Sequence, residues 1–258
     1  MRAAVPRLTL TPLLEIPEVI AGSDLARLLA EALRNGGLEP RGDDVLVVAQ
    51  KIVSKAEGRV VDLASVVPGS RARNLAALTG KDARLVELIL AESTEVLRAR
   101  ANLLIVRHRL GFVVANAGID RSNVPGLPGG EAVLLLPRDP DASAAALRTA
   151  LGQRFDAAPG VIVSDSFGRP WRRGVVNVAL GAAGLPALLD RRGEQDRGGR
   201  RFESTEVAIA DAIAAAAGLV MGEAAEGIPV VLMRGLRVSG PASSGRSLVR
   251  PLAEDLFR

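Results

Sequence analysis

Val-Ile-Val-Ser-Asp-Ser-Phe-Gly-Arg (residues 161–169) joins a strand-length apolar run, Val161–Ser164, to an acidic and hydroxyl-bearing end. A continuous apolar run, unlike an alternating one, is typical of a strand that is covered on both faces of its sheet. Other runs of strand length, bounded by turn residues, are Val45–Ala49, Leu103–Val106, Val113–Ala115, Ala132–Leu136 and Val230–Met233. Helical patterns alternate irregularly with these runs, so the sequence predicts a mixed fold, α/β or α+β, built around a buried sheet.

Capping residues and apolar stripes predict the helices. Ser23 is suited to cap a helix that ends near Leu33, since a serine at that position accepts a hydrogen bond from a backbone N–H of the first turn. The other predicted helices are Ser70–Leu78, Ala83–Leu97, Ser143–Phe155 and Glu206–Met221, the last followed by Gly222 as a C′ residue.

Proline and glycine mark the breaks between these elements. Pro137–Asp141 predicts a rigid turn, and residues 124–130 and 193–199 predict loops. No sharp internal boundary is visible in the sequence. We therefore expect residues 1–238 to form the folded unit and residues 239–258 to form a weakly structured C-terminal tail.

The composition narrows the classes of protein that the chain can belong to. Its 258 residues are enough for a sizeable core, and the absence of cysteine excludes disulfides, thiolate metal sites and cysteine nucleophiles. Without a long apolar segment or a secretory signal, we expect a cytoplasmic location and no contact with a membrane. One Trp, no Tyr and short basic stretches at Arg169–Arg173 and Arg191–Arg201 argue against nucleic-acid binding.

Three acidic residues follow or close predicted elements. Asp120 and Asp165 lie in turns after strands, and Glu223 follows the longest helix. Mg²⁺ and Mn²⁺ prefer oxygen ligands and usually share them with substrate phosphates, so convergence of these acids would indicate an enzyme that handles a nucleotide. The alternatives are an Asx-type turn at Asp120 and an N-cap followed by a solvated basic loop at Asp165.

Basic side chains near these acids suit an anionic substrate. Arg169, Arg172 and Arg173 follow Asp165, and guanidinium groups pair with phosphate or carboxylate in a two-pronged fashion. Lys55 is predicted to follow a strand in a glycine-containing turn, where it would anchor a phosphate or simply be solvated. His108 is interpreted as a surface or packing residue, and the lack of a Gly-x-Ser-x-Gly elbow argues against a serine hydrolase.

Four segments, in this order, resemble the coenzyme F420-0:L-glutamate ligase family, the F420 γ-glutamyl ligases. They are residues 53–59, 116–124, 165–175 and 221–230, and the resemblance extends from about Leu13 to Gly235. The resemblance implies a two-lobed mixed α/β fold and a homodimer. It also implies an enzyme that uses GTP to join L-glutamate to the lactyl carboxylate of F420-0 through an acyl phosphate, and that adds further γ-linked glutamates.

The same resemblance implies roles for individual residues. Asp120 and Asp165 would bind a first Mg²⁺ or Mn²⁺ ion, and Ser166 and Glu223 a second. Lys55, Arg169 and Arg172 would supply catalytic positive charge. The residues that would contact GTP are Ile16, Pro17, Glu18, Val19, Gln50, Lys51, Lys55, Asn123, Met221, Gly222 and Glu226.

Two other functions remain open on the sequence alone. The metal and nucleotide residues do not specify the acceptor, so a related ligase acting on another carboxylic acid has the same pattern. A non-catalytic basic protein that binds nucleic acid is the alternative from a different class, and it would associate in a strongly salt-dependent way.

Overall fold

The computed structural model describes residues 7–121 and 131–256. Its strands are β1 (Thr9–Pro12), β2 (Val45–Ala49), β3 (Val60–Asp62), β4 (Ser93–Arg100), β5 (Leu103–His108), β6 (Val113–Ala115), β7 (Ala132–Leu134), β8 (Gly160–Arg169), β9 (Arg172–Ala183), β10 (Leu189–Asp190), β11 (Glu206–Val207) and β12 (Val230–Arg234). Its helices are α1 (Leu25–Asn35), α2 (Gln50–Ala56), α3 (Ser70–Thr79), α4 (Ala83–Ala91), α5 (Pro140–Gly152) and α6 (Ile209–Met221).

A five-stranded sheet in the order β1-β12-β2-β8-β9 forms the centre of the larger part of the molecule. Its neighbouring strands β2 and β8 pair in parallel, with Val45 opposite Gly160 and Ala49 opposite Ser164. The other neighbouring pairs of this sheet are antiparallel. The sheet is therefore mixed, with one parallel pair at its centre.

Both faces of this sheet are covered by helices. Leu46 and Val48 of β2 pack in the core formed with α1 and α5, whereas Val45 and Val47 pack in the core formed with α6. Ile162 of β8 also packs on the α6 side. The prediction of a mixed α/β fold around a strand buried on both faces is confirmed.

A second, smaller packing unit surrounds the antiparallel sheet β4-β5-β6. Helices α3 and α4 cover that sheet, and Ile89, Leu104 and Val106 are fully buried in its core. The short pair β3-β7 borders this core through Val133. The packing thus divides into separate cores, while the boundary predicted after residue 238 remains a prediction.

Most of the predicted helices and strands are present, but several of their ends are wrong. Strands Val45–Ala49 and Val113–Ala115 have the predicted bounds, and α3 ends one residue later than predicted. Helix α1 is capped by Asp24 rather than Ser23, since the Asp24 carboxylate accepts the N–H of Arg27 at 2.9 Å. Helix α6 begins at Ile209 because the preceding residues form β11.

The helix predicted over Ala83–Leu97 is wrong in its second half. Helix α4 ends at Ala91, and β4 begins at Ser93. Glu92, between the two, forms ion pairs with Arg59 and Arg109, and the residues that follow it pair with β5. Cross-strand pairing outweighs the helical propensity of this acidic stretch.

Helix α5 begins within the predicted turn Pro137–Asp141. The Asp139 carboxylate accepts the N–H of Ala142 at 3.0 Å, and Pro140 occupies the first turn, where no backbone donor is needed. The helix therefore begins at Pro140 rather than Ser143 and ends at Gly152, before the predicted end at Phe155.

Strand β9 is the largest element that the sequence did not reveal. The predicted solvated basic loop after Asp165 is a hairpin: β8 continues to Arg169, and the chain turns through Trp171, which has a φ of 58°, and returns as β9. Charged residues at the tip and small residues at the base of β9 obscure the apolar pattern. The predicted loop at 193–199 is present, with an isolated bridge between Gln195 and Arg201, and the loop predicted at 124–130 lies outside the described residues.

The C-terminal segment covers the open edge of β9. The N–H of Ala182 in β9 and the N–H of Gly245 both donate to the carboxylate of Asp141, at 2.9 and 2.6 Å. The N–H of Ala179 donates to the carboxylate of Asp211 at 2.8 Å. Contrary to the predicted weak structure, the tail forms 3₁₀ turns at Gly245–Leu248 and Leu252–Glu254 and packs against this edge.

Among the helices of the described residues, none combines the length and apolarity that a membrane crossing requires.

A buried ion cluster joins the smaller core to the rest of the chain. Glu92 lies 2.8 Å from Arg59, 2.9 Å from Arg109 and 3.5 Å from His108. Burial alone would raise the pKa of Glu92, but these three neighbours outweigh that effect and hold the pKa at about 2. His108 is fully buried and stacks on Phe112, which confirms that it is a packing residue.

Substitution Glu92→Gln is expected to destabilise the fold by about 3 kcal/mol near neutral pH, because it leaves the largely buried guanidinium group of Arg59 without its counter-charge. The folded-state pKa lies below the usual value of 4.5, so the stabilisation is present above that pH. It is lost as the pH falls towards 2, and the difference between the variant and the wild type should shrink over that range. Urea unfolding at several pH values measures this.

Glu31→Gln is the matched control, because Glu31 forms an exposed i,i+4 pair with Arg27. Its loss should change the free energy of unfolding by less than about 1 kcal/mol. Equal effects of the two substitutions would contradict a stabilising role for the Glu92 cluster.

Candidate active site

The parallel pairing of β2 and β8 brings two chemically distinct strand ends together. Strand β2 leads directly into α2, so Gln50 and Lys51 follow its carboxyl end. Ser164, opposite Ala49 in the register, begins the polar part of β8. Ligands of open α/β sheets bind at the carboxyl ends of parallel strands, where the chain leaves the sheet.

A cavity of about 1010 Å³ opens at this edge. Four parts of the chain form its wall: the segment before α1, the start of α2, the polar part of β8 with its neighbour on β9, and the segment after α6. The lining residues are Ile16–Val19, Ala49–Ile52, Lys55, Ser164–Ser166, Asn177 and Met221–Pro229. The volume is large enough to hold a nucleotide together with part of a second substrate.

The sequence-predicted nucleotide residues converge on this cavity. The cavity wall contains Ile16, Pro17, Glu18, Val19, Gln50, Lys51, Lys55, Met221, Gly222 and Glu226. Asn123 lies outside the described residues. Whether the residues in the wall contact a nucleotide remains a prediction, but the structure brings them together from segments that are distant in the sequence.

Lys55 occupies a different environment from the predicted turn. It lies on α2 with only 8 % of its surface exposed, and its Nζ is 2.6 Å from the carboxylate of Glu18. The alternative of a solvated surface lysine is therefore wrong for Lys55. The ion pair fastens the 16–19 segment to α2 and places a lysine in the cavity wall.

The carboxylates predicted to bind metal lie in or beside the cavity. Asp165, Ser166 and Glu223 line it, and Asp120 lies next to it with its carboxylate 2.5 Å from Nζ of Lys51. Burial raises the pKa of Asp165 to about 7; Lys51 opposes this, and Asp120 and Glu223 add to it. The carboxylates therefore act on one another electrostatically, although they come from three separate parts of the chain.

These acids do not form a tight set of ligands. Within residues 7–121 and 131–256, no three Asp, Glu, His or Cys side chains are arranged to hold a metal ion. The donor chemistry nevertheless fits a hard divalent cation, because the oxygens come from carboxylates and hydroxyl groups. A cation at this position would also relieve the repulsion that helps to raise the pKa of Asp165.

The family model described as F420-0:Gamma-glutamyl ligase matches residues 13–235. The chain belongs to this family. It is 46% identical over 246 residues to a protein of Methanothermobacter thermautotrophicus named Coenzyme F420:L-glutamate ligase, covering 94% of this chain and 96% of that protein. Proteins with the same name are 44% identical in Methanopyrus kandleri, covering 98% of this chain and 99% of that protein, and 42% identical in Methanocaldococcus jannaschii, covering 95% of each. The resemblance carried by the four sequence segments is confirmed.

Two of the basic residues predicted to be catalytic lie away from the cavity. Arg169 and Arg172 are exposed near the tip of the β8–β9 hairpin, where Nη2 of Arg169 donates to the carbonyl of Arg173 at 3.2 Å. In this member of the F420-0:gamma-glutamyl ligase family, the hairpin places both side chains outside the cavity wall. Lys55 is the only one of the three that lines the cavity.

The cavity also contains polar residues that the sequence analysis did not single out. Ser164 is buried, and its hydroxyl oxygen has no hydrogen-bond partner among the described residues. Asn177 pairs with Ser166 across the strands and packs against Gly218, where an added Cβ would lie 2.2 Å from the amide oxygen of Asn177. A glycine inside a helix rich in alanine was the available signal, because it indicates close approach of another chain segment.

Asp165→Asn is expected to stabilise the fold at pH 8 and to leave its stability unchanged near pH 4. The folded protein raises the Asp165 pKa from 3.8 to about 7, so it binds this proton more tightly than the unfolded chain does. The stabilising contribution of the group is complete below the unfolded pKa and is lost as the pH rises through 7. Melting temperatures in buffer with a chelator measure the difference.

Asp156→Asn is a suitable control because Asp156 is exposed and does not line the cavity. Its melting temperature should follow that of the wild type at both pH values. Equal melting temperatures of Asp165→Asn and the wild type at pH 8 would show that the Asp165 carboxylate is not destabilised by burial.

Proposed function

We propose that this chain is a ligase that uses GTP to form an amide between L-glutamate and the lactyl carboxylate of F420-0. The convergence of the cavity-lining segments around Asp165 carries the proposal, because it joins lysines and carboxylates that are far apart in the sequence. Membership of the F420-0:gamma-glutamyl ligase family supports the choice of substrates. Coenzyme F420:L-glutamate ligases at 42–46% identity support it further.

The triphosphate would lie between α2 and the segment after α6. Lys51 and Lys55 supply positive charge on one side, and Gly222, with a φ of 71°, turns the chain away from α6 on the other. The backbone conformation at Gly222 favours glycine, and the adjacent Glu226 carboxylate accepts the N–H of Ala224 at 2.8 Å. This hydrogen bond stabilises the segment that would contact the nucleotide.

Asp120, Asp165, Ser166 and Glu223 would hold the divalent cations, Mg²⁺ or Mn²⁺. When bound, such cations neutralise phosphate charge and favour transfer of the terminal phosphoryl group. Lys51 holds Asp120 at the edge of the cavity through a 2.5 Å contact and thereby keeps that carboxylate near Asp165.

The chemistry requires no nucleophile from the protein. A carboxylate oxygen of F420-0 attacks the γ-phosphorus of GTP, which releases GDP and leaves an acyl phosphate. The amine of L-glutamate then attacks the acyl carbon, phosphate leaves, and the amine loses a proton. The protein contributes proximity and fixed charge, which is consistent with a cavity that contains lysines and carboxylates and with a chain that has no cysteine.

A homodimer and the addition of further γ-linked glutamates belong to the same proposal. Trp171 and Val175, at 83 % and 53 % exposure, form an apolar surface on the β8–β9 hairpin that a second copy would cover. Arg169 and Arg172 share this hairpin, so their proposed contact with an anionic substrate depends on the assembly. Light scattering after size exclusion measures the mass of the assembly.

Asp165→Asn and Asp120→Asn are expected to lower GDP release by at least about a hundredfold in the presence of F420-0, L-glutamate and Mn²⁺, because each removes a proposed metal ligand. The amide product is measured by mass spectrometry and GDP by chromatography. Asp156→Asn should keep the wild-type rate. Full activity of Asp165→Asn would refute the assignment of that carboxylate.

Divalent-dependent binding of GTP should weaken as the pH falls below 7, because a proton competes for the Asp165 carboxylate. Calorimetric titration of GTP with and without Mn²⁺, at pH 6 and pH 8, measures this. The affinity with Mn²⁺ should rise with pH, and the Asp165→Asn variant should lose most of that dependence. A GTP affinity that is the same with and without Mn²⁺ at both pH values would contradict the proposed metal role.

A further inference from the structure

A second cavity, of about 310 Å³, lies beside the edge strand β9. Its wall contains two groups of functional side chains, aromatic and charged. They include the aromatic Phe112 and Phe167 and the charged Arg107, Asp211, Arg246 and Arg250. None of these six residues lines the nucleotide cavity.

Both cavities are bordered by the polar part of β8. Asp165, which lines the first cavity, pairs with Val178 of β9, which lines the second. Phe167 lies two residues after Asp165, hence on the same face of β8, and it also lines the second cavity. A ligand in the second cavity would therefore approach the proposed reaction centre along one face of β8.

Arg107 gives this cavity a buried positive charge that is incompletely paired. The residue is only 9 % exposed, and its Nη2 atom makes no hydrogen bond within the described part of the chain. The rest of the guanidinium group is paired, since Nε lies 3.4 Å from the Glu95 carboxylate and Nη1 donates to the carbonyl of Gly111 at 3.2 Å. The acid nearest Nη2 is Asp255, at 3.8 Å, which is beyond hydrogen-bond distance. A buried guanidinium group in this condition is costly unless a ligand completes its hydrogen bonds.

The remaining charges are distributed as a zwitterionic ligand requires. Arg246 and Arg250 are exposed at the rim, where guanidinium groups can pair with carboxylates. Asp211 contributes a partly buried carboxylate, one oxygen of which accepts the N–H of Ala179 at 2.8 Å. Burial raises the pKa of Asp211, and a bound ammonium group would oppose that rise.

Size and shape restrict the ligand further. Phe112 and Phe167 contact each other with ring centroids 5.1 Å apart and form an apolar wall. The volume accommodates a small amino acid but not a nucleotide.

We propose that the second cavity binds the amine substrate, a dicarboxylic α-amino acid, with its carboxylates on Arg107 and the rim arginines and its ammonium group towards Asp211. The proposal rests on the ligase function above and adds the location of the acceptor site. It assigns specificity to residues of β5, of α6 and of the C-terminal segment, outside the cluster of metal-binding candidates.

Steady-state kinetics of Arg246→Gln and Arg250→Gln test the site at its exposed rim, where folding is least affected. Each substitution should raise the KM for L-glutamate by about tenfold and leave the KM for GTP within about twofold, because the loss of one charge-assisted contact is local. Arg71→Gln removes one exposed charge from α3 and should leave both values unchanged.

Asp211→Asn tests the ammonium contact, since asparagine keeps an oxygen for the N–H of Ala179. Glutarate has both carboxylates of glutamate but no ammonium group, so it serves as a competitive inhibitor of the wild type. The wild type should bind L-glutamate more tightly than glutarate, and Asp211→Asn should lose most of that preference.

The outcomes separate the two proposals. If the wild type forms no amide from F420-0 and L-glutamate, the ligase function fails and the assignment of the second cavity fails with it. If the wild type is active but Arg246→Gln, Arg250→Gln and Asp211→Asn all keep its KM for L-glutamate, only the acceptor site is overturned. A raised KM for L-glutamate with an unchanged KM for GTP supports the acceptor site.

Discussion

The parallel pairing of β2 with β8 determines where the chemistry of this chain can occur. It places Lys51, at the start of α2, and Ser164 at the same edge of the sheet. An antiparallel pairing would put these residues at opposite edges, about 15 Å apart for strands of this length. The other residues of the first cavity are added around this pair by the segment before α1, by β9 and by the segment after α6.

The ionised acids of the first cavity lower the stability of the fold. Asp165 is partly buried and faces other acids, so its ionised form is disfavoured in the folded chain. Folding keeps this arrangement because strongly packed strands and helices on both faces of the sheet outweigh its cost. Strain of this kind is typical of sites that are built for a charged ligand. The Glu92 cluster is the opposite case, since there each buried charge has a nearby counter-charge.

The sequence predicted the buried strands well because their signal is local. Continuous apolar runs identify β2, β8 and β12 without knowledge of their neighbours. Strand β9 was missed because its exposed, charged tip and its small buried residues show no alternation of apolar and polar residues. Its conformation depends on pairing with β8. Lys55 was assigned to a turn because a short helix directly after a strand carries no capping signal in this chain. The second cavity was also missed, since its residues come from many separate elements and no motif connects them.

Asp141 accepts one hydrogen bond from the edge of β9 and another from Gly245, and a Cβ added to Gly245 would lie only 2.8 Å from the Cα of Gly181. The C-terminal segment is thereby held against the sheet, where it forms part of the wall of the second cavity. Residues of this segment can change without altering the segments that line the first cavity. If the second cavity holds the amino-acid substrate, as proposed, its selectivity and the activation of the other substrate are encoded in different stretches of the chain and can diverge independently.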